Sequence, residues 1–249
     1  MSAVVLALAA GAVIGLALGA LGGGGSVLAV PALIYLLGFT PVAATTASLL
    51  IVAVTSVVAL VAHGREGQVR WSTGLLFAAA GTGPAMLGGA LAGRLPASVL
   101  TVAFAGVAAA AAMRMLTARG SVAEPVEVRP GRAAAAGAGL GTVTGVLGVG
   151  GGFLAVPALV GVLGIRMREA VGTSLLVITV NSLAALMMRA GTTDGLDWAV
   201  VAPFTAAAVL GAWDGKRLSA KLPGPALQRV FAVVLLAVAA FMLVDAVLR

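Results

Sequence analysis

Apolar residues fall in long runs separated by short polar stretches, the pattern of helices immersed in lipid. The first run, Ala3 to Leu21, has no Lys or Arg ahead of it and leads straight into a cluster of glycines, so a membrane segment is expected there and not a signal peptide. Ser26 to Leu37 follows, a dozen residues whose helical length of about 18 Å is well short of the ~30 Å hydrocarbon core. Pro41 to Ala62, Trp71 to Ala92 and Pro96 to Leu116 are each close to the ~20 residues that a spanning helix needs. Thr117 to Arg132, with Pro125 and Pro130, is the one long polar stretch and reads as a solvent-exposed linker. Beyond it the plan recurs, as Arg132 to Leu147, the short run Gly152 to Leu163, Arg168 to Met188, Leu196 to Trp213 and Pro225 to Leu248. The pattern predicts an all-α polytopic membrane protein of about ten helical segments, with a first membrane repeat over residues 1–116, a linker over 117–131 and a second repeat over 132–249.

The two halves are copies. "LGGGGSVLAVPAL", Leu21 to Leu33, returns as "LGVGGGFLAVPAL", Leu147 to Leu159, with ten of thirteen positions identical at an offset of 126 residues. The register continues without a gap, so that "TASLL" at Thr46 to Leu50 falls on "GTSLL" at Gly172 to Leu176, and Ser56 on Ser182. Each copy sets a Gly cluster before a helix too short to span, and Pro31 or Pro157 removes a backbone donor inside that helix.

Composition agrees with lipid as the solvent. The chain is 61% hydrophobic and 9% charged, where a soluble domain carries about 25% charged residues. No Cys is present, which excludes a disulfide framework and thiolate chemistry. The isoelectric point near 11.5 does not indicate nucleic acid, because the basic residues sit in short loops and not in a stripe interleaved with aromatics. If every segment crosses, twelve of the 15 Lys and Arg residues (Arg65, Arg70, Arg114, Arg119, Arg129, Arg132, Arg166, Arg168, Lys216, Arg217, Lys221 and Arg229) collect on one side, against Arg94, Arg189 and Arg249 on the other. Basic loops stay cytoplasmic, which places the linker inside and both termini outside. Five segments per copy is an odd number, so the second copy enters the membrane from the opposite face, an inverted repeat of the kind that secondary transporters use.

In that setting the Gly clusters acquire a task. Irregular backbone at membrane depth survives only where it is buried in protein or lines a polar cavity. The amides of Gly24, Gly25 and Ser26, and those of Gly150, Gly151 and Gly152, stand at helix starts, where free N–H groups and the helix dipole favour an anion. The alternative is that the glycines let helices approach closely, and this is the expectation for Gly81, Gly88, Gly89, Gly93 and Gly211. The next helices offer Thr45, Ser48, Thr55 and Ser56 near one face, matched by Thr173, Ser174, Asn181 and Ser182. Ser48 with Ser174 and Thr55 with Asn181 are equivalent pairs. They are candidate hydrogen-bond donors to an oxyanion; the competing reading has the hydroxyls bonded back to their own helices. His63 and Arg189 are equivalent too, either cations at two mouths of a pathway or interfacial anchors, the latter preferred. No carboxylate lies mid-segment, which argues against an Asp or Glu proton relay and against a cation pump. There is no paired-carboxylate, His-metal or Ser–His–Asp arrangement, so neither an enzyme nor a metal or other cofactor is expected.

The doubled Gly-cluster and "AVPAL" motif, with "TASLL" and "GTSLL" after it, resembles the TauE/SafE family of sulfite exporters over essentially the whole chain. On the family's Gly and Pro motif fall Gly22, Gly24, Gly25 and Pro31, and in the second copy Gly148, Gly150, Gly151 and Pro157; within the Gly cluster the copies differ at Gly23/Val149 and Ser26/Gly152. The resemblance implies a transporter in a prokaryotic plasma membrane that moves a small inorganic or organosulfur anion, sulfite first, by alternating access. A passive anion channel and a non-transporting membrane assembly subunit are the alternatives, and a homo-oligomer is possible on either.

Overall fold

The computed structural model describes residues 2–92, 96–117, 128–146, 152–188 and 196–248. Among these residues the chain is all-helical, with ten α-helices and no strand: α1 (Ser2–Leu21), α2 (Ser26–Tyr35), α3 (Pro41–Gly64), α4 (Trp71–Ala92), α5 (Ala97–Thr117), α6 (Pro130–Val146), α7 (Gly152–Gly161), α8 (Met167–Met188), α9 (Trp198–Lys221) and α10 (Gly224–Leu248). A 3₁₀ turn, Gly22–Gly25, joins α1 to α2. Among the described residues six helices are long and apolar enough to cross a membrane, namely α1, α3, α5, α8, α9 and α10. The chain is thus a multi-pass membrane protein.

The expected segments appear with shifted ends, and the shifts have local causes. Thr40 Oγ1 accepts from the Ala43 amide and Pro41 occupies the first turn, which starts α3 where its sequence suggests. Asp197 caps α9 by accepting from the Ala199 amide at 3.0 Å. That helix does not stop at Trp213 as the charge pattern predicts. It runs on to Lys221 because its last two turns are amphipathic, with Gly215 and Ser219 buried while the Lys216 ammonium reaches out to Glu66. The two ten-residue helices, α2 and α7, are each about 15 Å long, half the hydrocarbon thickness. They end alike: Gly38 (φ +70) and Gly164 (φ +67) take the left-handed conformation, and the Phe39 amide bonds the Leu33 carbonyl as the Ile165 amide bonds the Leu159 carbonyl, both at 3.0 Å.

Helix packing exchanges elements between the halves. α1 lies along α9 and its counterpart α6 along α4, while α3 pairs with α8 and α5 with α10. Glycines set the first two contacts. Gly11, Gly15 and Gly19 of α1 press against the backbone of Phe204, Ala208 and Ala212, and Gly137, Gly141 and Gly145 of α6 press against Phe77, Gly81 and Ala85. A Cβ at any of these six would collide with main-chain atoms, so they are packing glycines at four-residue spacing, as are Gly81, Gly88 and Gly211 on the facing helices. Such close approach brings Cα–H groups onto carbonyls, each contact contributing about 0.5–1 kcal/mol. Gly89 and Gly93 have no described surroundings.

α8 is the centre of the bundle. Every residue from Ala170 through Thr179 is buried, so α8 is covered on all sides in a way that an amphipathic surface helix is not. Apolar packing between α3 and α8 runs through Ile51, Val52, Leu175 and Ile178. A second cluster joins α5, α7 and α10, with the Phe104 and Phe153 rings 4.8 Å apart at its centre.

Candidate functional site

The two copies of the repeated motif meet. Gly22 leaves the helical path at φ +64 and turns the chain out of α1. A side chain there would strike Ser174 Oγ and come within 3.0 Å of the Val171 carbonyl oxygen, so the turn is seated on α8. Gly23 is pressed onto the Gly152 carbonyl and the Phe153 Cα at the start of α7. In return, a Cβ on Gly152 would stand 2.9 Å from Ser26 Oγ and 2.8 Å from the Ile178 side chain. Only Gly supplies both the left-handed angle at position 22 and the backbone contact at position 23. The starts of the two half-length helices therefore lie against one another beside α8.

The hydroxyls of the sequence-predicted site are already engaged. Ser26 donates through both its amide and its hydroxyl to the Gly23 carbonyl, the hydroxyl at 2.8 Å. Ser48 donates to Thr45 O at 2.9 Å, Thr55 to Ile51 O at 2.6 Å and Ser174 to Val171 O at 2.8 Å, each one turn back along its own helix. Thr173 Oγ1 instead accepts the Arg70 amide at 3.1 Å, tying the α3–α4 loop to α8. Asn181 is half-buried, and no described residue bonds its side chain. Gly24 and Gly25 lie within the 3₁₀ turn, while Gly150 and Gly151 fall outside the described residues.

Three features near the site are not foreseen by the sequence pattern. Thr179 Oγ1 and Ser56 Oγ are 3.0 Å apart, a buried hydroxyl pair that bridges α3 and α8. Its partner position under the repeat is Ala53, so the duplication gives no hint of it. Glu169 near the start of α8 bonds Arg70 at 2.6 Å and also pairs with Arg166, which fastens two loops to the central helix. His63, preferred above as an interfacial anchor, is instead 1% exposed and bonded on both ring nitrogens; its equivalent, Arg189, lies outside the described residues.

A cavity of about 640 Å³ opens between α5, α6, α7, the α7–α8 loop and α10. Ala, Val and Leu make half of its wall, with Arg114, Arg166 and Gln228 as its polar members, and none of the sequence-predicted site residues lines it. Among the described residues no cluster of His, Asp and Glu is arranged to hold a metal ion.

Comparison with known proteins agrees with this architecture. The family model described as Sulfite exporter TauE/SafE matches residues 7–242. Two curated proteins, each named "Probable membrane transporter protein", from Xylella fastidiosa strain 9a5c and strain Temecula1 / ATCC 700964, are 30% identical to this chain over 251 residues, covering 98% of it and 96% of theirs. No solved structure matches. The similarity thus runs through both copies of the glycine motif and all ten helices, and the chain belongs to the TauE/SafE sulfite exporter family of membrane transporters.

Proposed function

We propose that this protein is a secondary transporter, acting as an exporter, which carries sulfite or a related small sulfur oxyanion across a prokaryotic plasma membrane by alternating access. The observation that carries the reading is the contact of the Gly22–Gly25 turn with the start of α7 and with Ser174 of α8. Two helix starts brought together at the heart of a bundle combine free amides with the positive ends of two helix dipoles. The amides of Gly24, Gly25, Gly150, Gly151 and Gly152 form the proposed cradle, joined by the Ser26 amide when it leaves the Gly23 carbonyl that it bonds in this structure. The hydroxyls of Ser48, Thr55, Thr173 and Ser174 and the Asn181 amide complete it. Hydroxyls that bond their own helix can turn to a ligand and turn back on release, and they hold an anion less firmly than a buried Arg would, as turnover requires.

The reciprocal packing of α1 on α9 and of α6 on α4, with α3 facing α8, supports an inverted repeat. In this arrangement the second half enters from the opposite face, both termini lie outside and residues 117–131 lie in the cytoplasm. A hinge at the motif contact would let one half rock against the other while the anion stays near the midplane.

Counterflow tests this reading. Purified protein in liposomes preloaded with unlabelled sulfite should concentrate external ³⁵S-sulfite transiently, and Gly25→Ala or Gly151→Ala should abolish the overshoot while leaving thermal stability without ligand near that of the parent. A linear uptake with no overshoot indicates a channel, and no uptake indicates a non-transporting subunit; either result rejects the proposal.

A further inference from the structure

His63 is placed as no anchor would be. It stands in the last turn of α3, fully enclosed, with Nε2 3.1 Å from the Gly19 carbonyl oxygen of α1 and Nδ1 2.9 Å from Gln68 Oε1. Both neighbours are oxygens. A carbonyl can only accept, so Nε2 carries a proton. The Gln68 amide is oriented by its other end, where Nε2 donates to Glu66 Oε2 at 3.0 Å, and Glu66 in turn pairs with Lys216 of α9. Reversing the amide would set its oxygen against a carboxylate oxygen. With the amide held this way, Nδ1 also faces an acceptor and carries a proton, and the ring is an imidazolium.

Two helix ends face the ring. His63 lies at the C-terminal ends of two helices, α3 and α1, where the dipoles present partial negative charge and the last carbonyls lack intrahelical partners. The charged groups around it are few. α1 contributes none, the α3–α4 loop contributes Glu66 and the exposed Arg65, α9 contributes Lys216 already paired with Glu66, and on α8 Glu169 is occupied by Arg70 and Arg166. Among the described residues only the Glu66 carboxylate addresses the ring, through Gln68.

The geometry points to His63 as a proton-binding site that couples transport to the proton gradient, Nδ1 being the atom that takes and gives up the proton. On release, the Nδ1 lone pair faces Gln68 Oε1, and the amide must turn to donate, giving up its bond to Glu66. For coupling, the proton is taken up from one side of the membrane in one state of the carrier and released to the other side in the alternate state, the exposed Glu66 being the exchange point on its own side. One proton thus selects between two arrangements of a chain of bonds from α1 to α9. That chain starts at Gly19, three residues before the left-handed Gly22, and passes through Gln68, whose carbonyl packs on Gly172 of α8. The coupling role rests on the transport reading above; the protonated site does not.

The sequence contains one histidine, so ¹⁵N-histidine labelling of the full chain, purified on a histidine-free tag, reports this residue alone. Both ring nitrogens should carry protons in the protonated state, and the proton lost as the pH is raised should be that at Nδ1, not that at Nε2. An imine-type Nε2 at any pH, or an Nδ1 that stays unprotonated down to about pH 5, where an ordinary imidazole is charged, overturns the site. In proteoliposomes a gradient of about one pH unit supports up to about tenfold accumulation of anion per coupled proton. His63→Gln should lose this accumulation of sulfite, measured against empty liposomes, and keep sulfite counterflow. A folded variant that still accumulates sulfite, or that has lost counterflow as well, overturns the coupling role. Should His63→Gln fail to fold, Gln68→Leu removes the Nδ1 acceptor, leaves the bond to Gly19 and is judged by the same two outcomes. If the parent protein moves no sulfite, the transport reading fails while the ¹⁵N titration still decides the proton site.

Discussion

Gly22→Ala separates the two demands that the repeated motif makes on its first glycine. The substitution forces a Cβ into the left-handed region, which costs roughly 1–2 kcal/mol for an L-residue. It also drives that Cβ into Ser174 Oγ and against the Val171 backbone, and overpacking of this kind costs typically about 1–3 kcal/mol. Gly38 supplies the reference, because it has nearly the same angle (φ +70 against +64) and nothing within 4 Å of the position a Cβ would take. Gly38→Ala therefore bears the conformational term alone. For a chain of this size roughly 2–4 °C follows each kcal/mol, so in thermal unfolding of the detergent-solubilised protein Gly22→Ala should melt roughly 2–12 °C below Gly38→Ala. Ser174→Ala removes the nearest obstacle and leaves the Val171 carbonyl oxygen at 3.0 Å. The double variant Gly22→Ala/Ser174→Ala should then recover part of the loss, with a coupling of about 1 kcal/mol or more in a double-mutant cycle. Equal melting temperatures for Gly22→Ala and Gly38→Ala, or strict additivity with Ser174→Ala, would show that the turn is not seated on α8.

The glycine contacts between helices predict a contrast within one residue type. Gly15→Ala and Gly141→Ala, which meet the Ala208 and Gly81 backbones, should each cost about 1–3 kcal/mol or more, whereas Gly83→Ala and Gly106→Ala, with open space around them, should be neutral or stabilise by up to about 1 kcal/mol in the same melts. The Ser56–Thr179 hydroxyl pair should show a coupling of about 0.6 kcal/mol in a Ser56→Ala/Thr179→Val cycle, the scale measured for hydrogen bonds between membrane helices; no coupling would mean that each hydroxyl bonds only its own helix. For the proposed topology, a cysteine placed at Ser121 in intact cells should resist an impermeant thiol reagent while one at Ser2 reacts, and the reverse labelling would turn the protein over in the membrane.

Much of the architecture is legible in the order of the residues, because lipid leaves a chain few options. With 61% hydrophobic residues and no aqueous solvent for the backbone, each apolar run has to close its hydrogen bonds within itself, and helices follow wherever a run is found. The short runs announce half-length helices by their length alone. Their ends are written in Gly38 and Gly164, which stand in corresponding places in the two copies and both adopt positive φ. Helix ends are less legible where charge and burial disagree, and α9 outlasts its apolar run because one face of its last turns is still covered by protein.

What faces what was settled only by tertiary structure. A glycine inside an apolar helix reads the same whether it meets a neighbouring backbone, as Gly15 and Gly141 do, or open space, as Gly106 does, since the difference lies in the facing helix. The exchange of α1 and α6 between the halves is equally silent in sequence, for lipid and Leu are alike apolar and no hydrophobic contrast marks which helix is the partner. His63 shows the limit most clearly. As one polar residue at the end of an apolar run it matches an interfacial anchor, and only the fold brings the Gly19 carbonyl and Gln68 to its two nitrogens, 44 and 5 residues away along the chain. Sequence determines which segments lie in the membrane, whereas the directional bonds that hold a buried polar group come from elements that only packing brings together.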